Sequence, residues 1–162
     1  MSRAQDAIAD SLHISLEVFQ NFVADLTPRE YLYRPVPKAN CAAWIVGHLV
    51  LTDRGALKLL ESAEPPLLPK DFEQRFARTA EAAGADDFGD VSLLMPLLHQ
   101  HRRLLIDAVR SAPDELLARP LEPPHSLFRT VAGRLSFVAL HTLMHGGQIT
   151  IIRRSLGRPP LV

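Results

Sequence analysis

An all-α protein built as a four-helix bundle is what this sequence predicts. Apolar residues recur at three- and four-residue intervals in four long segments, and no segment shows the alternation of a half-buried strand. The 13 prolines nearly all fall between those segments: Pro28, Pro35 and Pro37, then Pro65, Pro66 and Pro69, then Pro113, Pro120, Pro123 and Pro124, and finally Pro159 and Pro160. The intervals are the helices, and two of the connections are lengthy.

The first helix is expected from about Ala4 to Leu26, where Ile8, Leu12, Leu16, Phe19 and Val23 form one stripe and Thr27-Pro28 ends it. The second begins at Asn40, a good N-cap residue, and runs to about Ser62 through Trp44, Ile45, His48, Leu49, Leu57 and Leu60. It is apolar over much of its surface. From Ala63 to Asp90 the chain turns polar, with a short helix expected from Asp71 to Arg78 and a flexible composition at Ala83-Gly84-Ala85-Asp86-Asp87. The third helix is expected from near Ser92 to Ala112, with Pro96 tolerated because it lies close to the first turn. A proline-rich crossing from Pro113 to Phe128 then leads to Thr130 as N-cap and a fourth helix of about 25 residues ending before Gly157.

At 162 residues and 47% hydrophobic content, the chain suits one domain, 1–162, with a full core. Its 18 basic residues balance 18 acidic ones, which gives no support to nucleic acid or an anionic membrane surface as a partner. A small-molecule or protein partner is expected instead. No apolar run approaches the about 20 residues of a membrane span, and the start, Met1-Ser2-Arg3-Ala4-Gln5-Asp6, lacks the hydrophobic stretch of a signal peptide, so the expected location is the cytoplasm. The lone cysteine, Cys41, cannot form an internal disulfide, which fits a reducing compartment, and reads as a small buried apolar residue.

Candidate chemistry concentrates in the fourth helix, at His141-Thr142-Leu143-Met144-His145-Gly146-Gly147-Gln148. Histidines four residues apart leave one side of a helix about one turn apart, near enough to grip a single metal ion. On the second helix His48 shares a stripe with Trp44 and Cys41, and a buried imidazole there needs a partner. A backbone carbonyl or another side chain can supply it; one metal ion supplies it for His48, His141 and His145 together. Three neutral imidazoles from two helices form a facial set with open coordination positions, the arrangement of a catalytic rather than a closed structural site. Imidazole donors suit zinc, nickel, iron or copper alike; zinc or nickel is the expected ion, with iron or copper the alternatives. Gln148, seven positions after His141, can hydrogen-bond a ligand, a bound water or a neighbouring helix. Trp44, one turn before His48, is the other residue expected beside the ligands or the substrate. Gly146 and Gly147 each cost about 1 kcal/mol in a helix, which asks for close approach by another helix or subunit.

The remaining candidates are weaker. His99 and His101 lie about 200° apart around the third helix, so they cannot both face one ion; His125, beside Pro123 and Pro124, is expected on the surface, and the sequence does not orient the helix face that carries His13. Cys41 as a nucleophile with His48 as its base fails on distance, because seven residues of helix separate them by about 10 Å along the axis.

Asn40 followed by Trp44-Ile45-Val46-Gly47-His48-Leu49, and later His141 to Gln148 followed by Ile149, Arg153, Arg154, Leu156 and Gly157, resemble the two signature segments of the DinB/YfiT-like superfamily in order and separation. The resemblance implies a bundle with up-down-down-up topology, usually a homodimer. It also implies a divalent metal held by one histidine of the second helix and two of the last, here His48, His141 and His145. Its implied activities are metal-dependent hydrolysis, or transfer and isomerisation with a low-molecular-weight thiol such as mycothiol or bacillithiol. This sequence departs from the family's pattern at Gly146, where arginine or another polar group is frequent, so a substrate contact from that position is lost. The apolar second helix and the paired glycines add to the expectation of a homodimer. The combined expectation is a cytoplasmic metal-dependent thiol transferase or hydrolase. The alternative is a non-catalytic metal-binding or stress-response dimer whose metal is structural or whose cavity only sequesters a ligand.

Overall fold

A computed structural model describes residues 4–61, 64–78 and 87–159. In chain order the helices are α1 (Ala4–Val23), α2 (Pro28–Tyr31), α3 (Ala42–Leu60), α4 (Phe72–Phe76), α5 (Leu94–Ser111), α6 (Asp114–Ala118) and α7 (Val131–Ser155), with a 3₁₀ turn at Val91–Leu93 before α5. Among the described residues there is no strand, only an isolated bridge between Pro120 and Thr130.

Several boundaries differ from the sequence expectation for local reasons. α1 stops at Val23 because Thr27 and Glu30 close a reciprocal capping box that starts α2, with Pro28 inside its first turn. α3 is capped by Cys41, not Asn40, and without a side-chain bond; the Asn40 amide donates instead to Gln148 on α7 at 3.2 Å. The expected helix from Asp71 to Arg78 shortens to α4. The end of the second helix at Ser62 and the stretch Ala83 to Asp86 lie outside the described residues. The third helix divides into the 3₁₀ turn, capped by the Asp90 carboxylate on the Ser92 amide, and α5, with Pro96 in its first turn. Thr130 caps α7 through the Gly133 amide, as its sequence predicts.

Two core clusters fix the topology. One joins the C-terminal half of α1 (Leu16, Phe19, Phe22), the N-terminal halves of α3 (Trp44, Ile45) and α5 (Leu94, Leu98), and the C-terminal part of α7 (Ile149, Ile152). The other joins the opposite halves: Ile8 and Leu12, Leu57 and Leu60, Leu105 and Val109, and Leu135 and Val138. Thus α1 and α7 run parallel while α3 and α5 run against both, which is up-down-down-up. α1 and α3 each pack on α5 and α7, so consecutive long helices α1 and α3 stand diagonally. Parallel neighbours α3 and α5 need a connection that returns along the roughly 28 Å of a 19-residue helix. Part of that return is α4, which packs on α3.

One guanidinium ties the four long helices together. Arg102 and Asp53 are both fully buried and meet through two bonds, Nε to Oδ2 at 2.8 Å and Nη2 to Oδ1 at 3.0 Å. Arg102 also donates to the Leu12 carbonyl and Ser15 Oγ on α1 and to Thr142 Oγ1 on α7. All five of its N–H donors are thereby used. Burial raises the Asp53 pKa, and the guanidinium opposes that rise.

The apolar surface read on the second helix is spent inside the molecule: every residue from Ala42 to Gly47 is buried. Of the two glycines, Gly146 serves the packing of α1, since a Cβ there would meet the Phe22 ring at 3.0 Å, whereas Gly147 faces open space. Exposed large apolar residues lie instead on α7, at Leu140, Met144 and Ile151. By length and composition α7 is apolar enough to cross a membrane, more than the sequence reading allowed. In this bundle it is a core helix, with Leu135, Val138, Ile149 and Ile152 buried and Arg153 buried against the Phe22 carbonyl and the Asp25 carboxylate.

Candidate metal centre

Because α3 packs antiparallel to α7, His48 on the first comes to face His141 and His145 on the second. One ring nitrogen from each histidine lies within 4.8 Å of the other two. The ring centroids are 5.3 Å apart for His48 and His141, 5.3 Å for His48 and His145, and 4.5 Å for His141 and His145. His141 Nε2 and His145 Nε2 stand 3.1 Å apart.

Neighbouring groups orient two of the three rings. Gln148 Oε1 lies 3.1 Å from His145 Nδ1 and accepts from Asn40 Nδ2 as well. An acceptor there requires the proton on Nδ1, which leaves His145 Nε2 as a lone pair turned toward the cluster. His48 Nδ1 lies 3.3 Å from the Phe76 carbonyl, an arrangement that likewise frees its Nε2. Trp44 lies flat on the His48 ring, centroids 4.7 Å apart and planes 6° apart. His141 has no such anchor among the described residues: its Nδ1 is buried and unpartnered, and Phe137 stacks near the ring at 5.7 Å.

The donor set fits a divalent ion. Burial lowers the pKa of all three histidines, to about 4 at His141 and to about 4 at His145. For His141 the neighbouring imidazoles and the Arg134 and Arg78 guanidiniums push the same way. At neutral pH all three rings are therefore uncharged and carry the lone pairs a cation needs. The 3.1 Å approach of two Nε2 atoms is accounted for by a shared proton or by a common cation.

A cavity of about 660 Å³ opens beside the cluster, lined also by Thr52, Arg78, Arg134, Phe137 and Met144. No carboxylate lines it among the described residues. Trp44 borders it and is 3% exposed, yet its Nε1 has no hydrogen-bond partner among the described residues.

Gly47 is the residue through which α4 reaches this site. A Cβ there would sit 2.2 Å from the Phe76 ring, which is itself packed between Phe72 and Phe88. Gly47→Ala should therefore displace Phe76, lower unfolding stability by about 1–3 kcal/mol in urea titration, and weaken metal retention by shifting the carbonyl that holds His48. Wild-type stability and wild-type metal retention together would show that α4 can move without cost.

The remaining sequence candidates fall outside the cluster. His101 is buried on α5, with Nδ1 on the Leu97 carbonyl at 2.9 Å and Nε2 unpartnered among the described residues. His99 and exposed His13 border a groove between α1 and α5, and His125 is exposed and stacked on Phe128. Cys41 is fully buried, and burial raises its thiol pKa, the opposite of an activated nucleophile. Sequence reasoning missed the anchoring role of Asn40, the Phe76 carbonyl, and both cavity arginines. For Arg134 a signal existed, because it stands seven positions before His141 on the same helix face.

Residues 11–149 match the family described as the DinB superfamily. A solved structure from Enterococcus faecalis, described as that of a conserved protein, is 19% identical, covers 98% of this chain and 100% of its own, and superposes with a TM-score of 0.79. YfiT from Bacillus subtilis, described as a probable metal-dependent hydrolase with an unusual four-helix bundle topology, is 16% identical, covers 98% of this chain and 91% of its own, and gives 0.69. At these identities the likeness is one of fold. No curated protein matches the sequence.

Proposed function

Because this chain belongs to the DinB superfamily, we propose that it is a divalent-metal-dependent enzyme acting on a small molecule, with His48, His141 and His145 holding the ion. The observation that carries this reading is the convergence of three neutral imidazoles, one ring nitrogen from each within 4.8 Å of the others, at the wall of a cavity large enough for a substrate. Donors of this kind suit zinc, nickel, iron or copper, and zinc or nickel is the ion proposed. A bound ion would supply Lewis acidity and favour the ionised form of a water or thiol ligand. The chain supplies the rest: Gln148 and the Phe76 carbonyl fix the tautomers of His145 and His48, and Trp44 walls one side of His48. With three donors and no fourth in the cluster among the described residues, the set leaves room for a substrate, which argues against a purely structural metal.

Transfer of a low-molecular-weight thiol is the preferred chemistry. No carboxylate among the described residues lines the cavity, so water has no such base there, whereas a thiol is intrinsically far more acidic than water. Hydrolysis is the second reading, favoured by the description of YfiT. Cobalt-substituted protein separates them: bacillithiol, mycothiol or glutathione should change its visible spectrum by adding a sulfur ligand, and His48→Ala should abolish the change. An unchanged spectrum with turnover of model esters or amides would favour hydrolysis. Neither response from fully loaded protein would leave a non-catalytic binding module. The lone buried Cys41 suits a reducing cytoplasm as the place of action.

A homodimer belongs to the same proposal. Leu140, Met144, Gly147 and Ile151 recur at four, three and four residues on α7, an exposed apolar stripe suited to a second copy of the helix. Light scattering should give twice the 18.0 kDa of one chain, and Leu140→Asp with Ile151→Asp should give monomer. A wild-type monomer at micromolar concentration would return the stripe to ordinary surface.

A further inference from the structure

We propose that the cavity beside the three histidines takes a ligand bearing an oxyanion, a carboxylate or phosphate group, seated against Arg134 and Arg78. This rests on the reading of that cavity as the substrate site, and it adds the chemical class of what enters.

Arg134 lies on α7 seven residues before His141, hence on nearly the same face and about 10 Å away along the axis. Its guanidinium carbon stands 5.2 Å from the Phe128 ring centroid and 6.0 Å from that of Phe137. Stacking holds the group in place while consuming none of its N–H donors. Neither Arg134 nor Arg78 has a hydrogen bond or ion pair among the described residues. Elsewhere in the chain the arginines near carboxylates are paired: Arg102 with Asp53, Arg119 with Glu61, and Arg153 and Arg158 with Asp25. In the cavity the two forks meet no carboxylate among the described residues.

The same wall holds a further donor without an acceptor among the described residues, the buried Nε1–H of Trp44. Half-burying Arg134 unpaired costs free energy that a bound anion would offset. A planar guanidinium fork matches a carboxylate or phosphate through two parallel bonds. Both arginines line the same cavity as His48, His141 and His145, so an anion seated on them shares that cavity with the histidine cluster.

Trp44 is the only tryptophan, so intrinsic fluorescence reports on this wall directly. The full chain is titrated at constant ionic strength with succinate, inorganic phosphate and the uncharged analogue succinamide. A saturable response to either anion and none to succinamide is expected, and the tighter of the two anions identifies the group. Arg134→Gln should weaken binding about tenfold, Arg78→Gln should weaken it in the same direction, and Arg129→Gln, on exposed surface nearby, should leave it unchanged. Should Arg134→Gln fail to fold by circular dichroism, exposed Arg78 carries the comparison. No saturable response, an equal response to succinamide, or an equal loss in Arg129→Gln overturns the proposal. Repeating the titration after EDTA treatment and in His141→Ala separates it from the metal reading. A response that persists there and disappears in Arg134→Gln stands whatever the fate of the metal. One that needs the metal and ignores Arg134→Gln sinks the anion seat alone.

Discussion

Replacing His145 with alanine should strip the ion from the protein: elemental analysis of chain purified without a histidine tag is expected to fall from close to one divalent metal per chain to near zero after dialysis. His141→Ala should do the same, because either change leaves two imidazoles on separate helices in place of a facial set of three. Gln148→Ala should behave differently. It removes only the acceptor that orients His145, so affinity should drop about 10- to 100-fold while the site still fills at saturating metal. Acidification gives a further signature. Protons compete with the ion only when they can bind the ring nitrogens, and burial holds His141 and His145 at about 4. Retention should therefore persist well below the ordinary histidine value of about 6.5 and fail as the pH approaches 4. Full occupancy in the double variant His141→Ala, His145→Ala would remove these residues from consideration.

Asp53→Ala is expected to be the most destabilising single change outside the site. It leaves the Arg102 guanidinium buried without its counter-charge, a loss of about 3–5 kcal/mol that should lower the thermal midpoint by on the order of 10 °C for a chain of this size. Removing both charges, with Asp53→Leu and Arg102→Met, should cost less than Asp53→Ala alone, since no unpaired charge then stays in the core. Thermal and urea unfolding of the three variants supply the comparison. A loss below about 1 kcal/mol for Asp53→Ala would mean that water reaches Arg102 in solution.

The four long helices were legible because their signals are local: apolar stripes, prolines between them, and Thr130 as a cap. The short helices were not. α4 depends on Phe76 lying over Gly47, and a five-residue segment cannot declare that in its own composition. Asn40 was assigned the cap its chemistry favours, but a bond to Gln148, 108 residues away, prevailed. The histidine pair of α7 was visible in its spacing and His48 in its stripe, whereas the carbonyl that positions His48 is backbone and carries no residue signature. The Asp53–Arg102 pair was not read from the sequence, because nothing in a single sequence joins an aspartate to an arginine 49 positions on. The second helix looked like a docking face because the cover supplied by α4 and the returning connection could not be seen.

The pairing of α1 with α7 also decides when this protein can fold. Phe19 and Phe22 lack their partners Ile149 and Ile152 until α7 has been made, and the bond from Arg153 to the Phe22 carbonyl closes 131 residues. At ribosomal speeds of roughly 5–20 residues per second, the N-terminal helix waits on the order of ten seconds with its apolar stripe uncovered. His48 likewise emerges 93 positions ahead of His141. No product of translation that stops short of α7 owns both walls of the cluster, so an ion that needs all three imidazoles can enter only after α7 has been made. Closure through such distant contacts is also slower than in a bundle of successive hairpins, which makes the interval between synthesis and loading the one in which a chaperone has an apolar surface to hold.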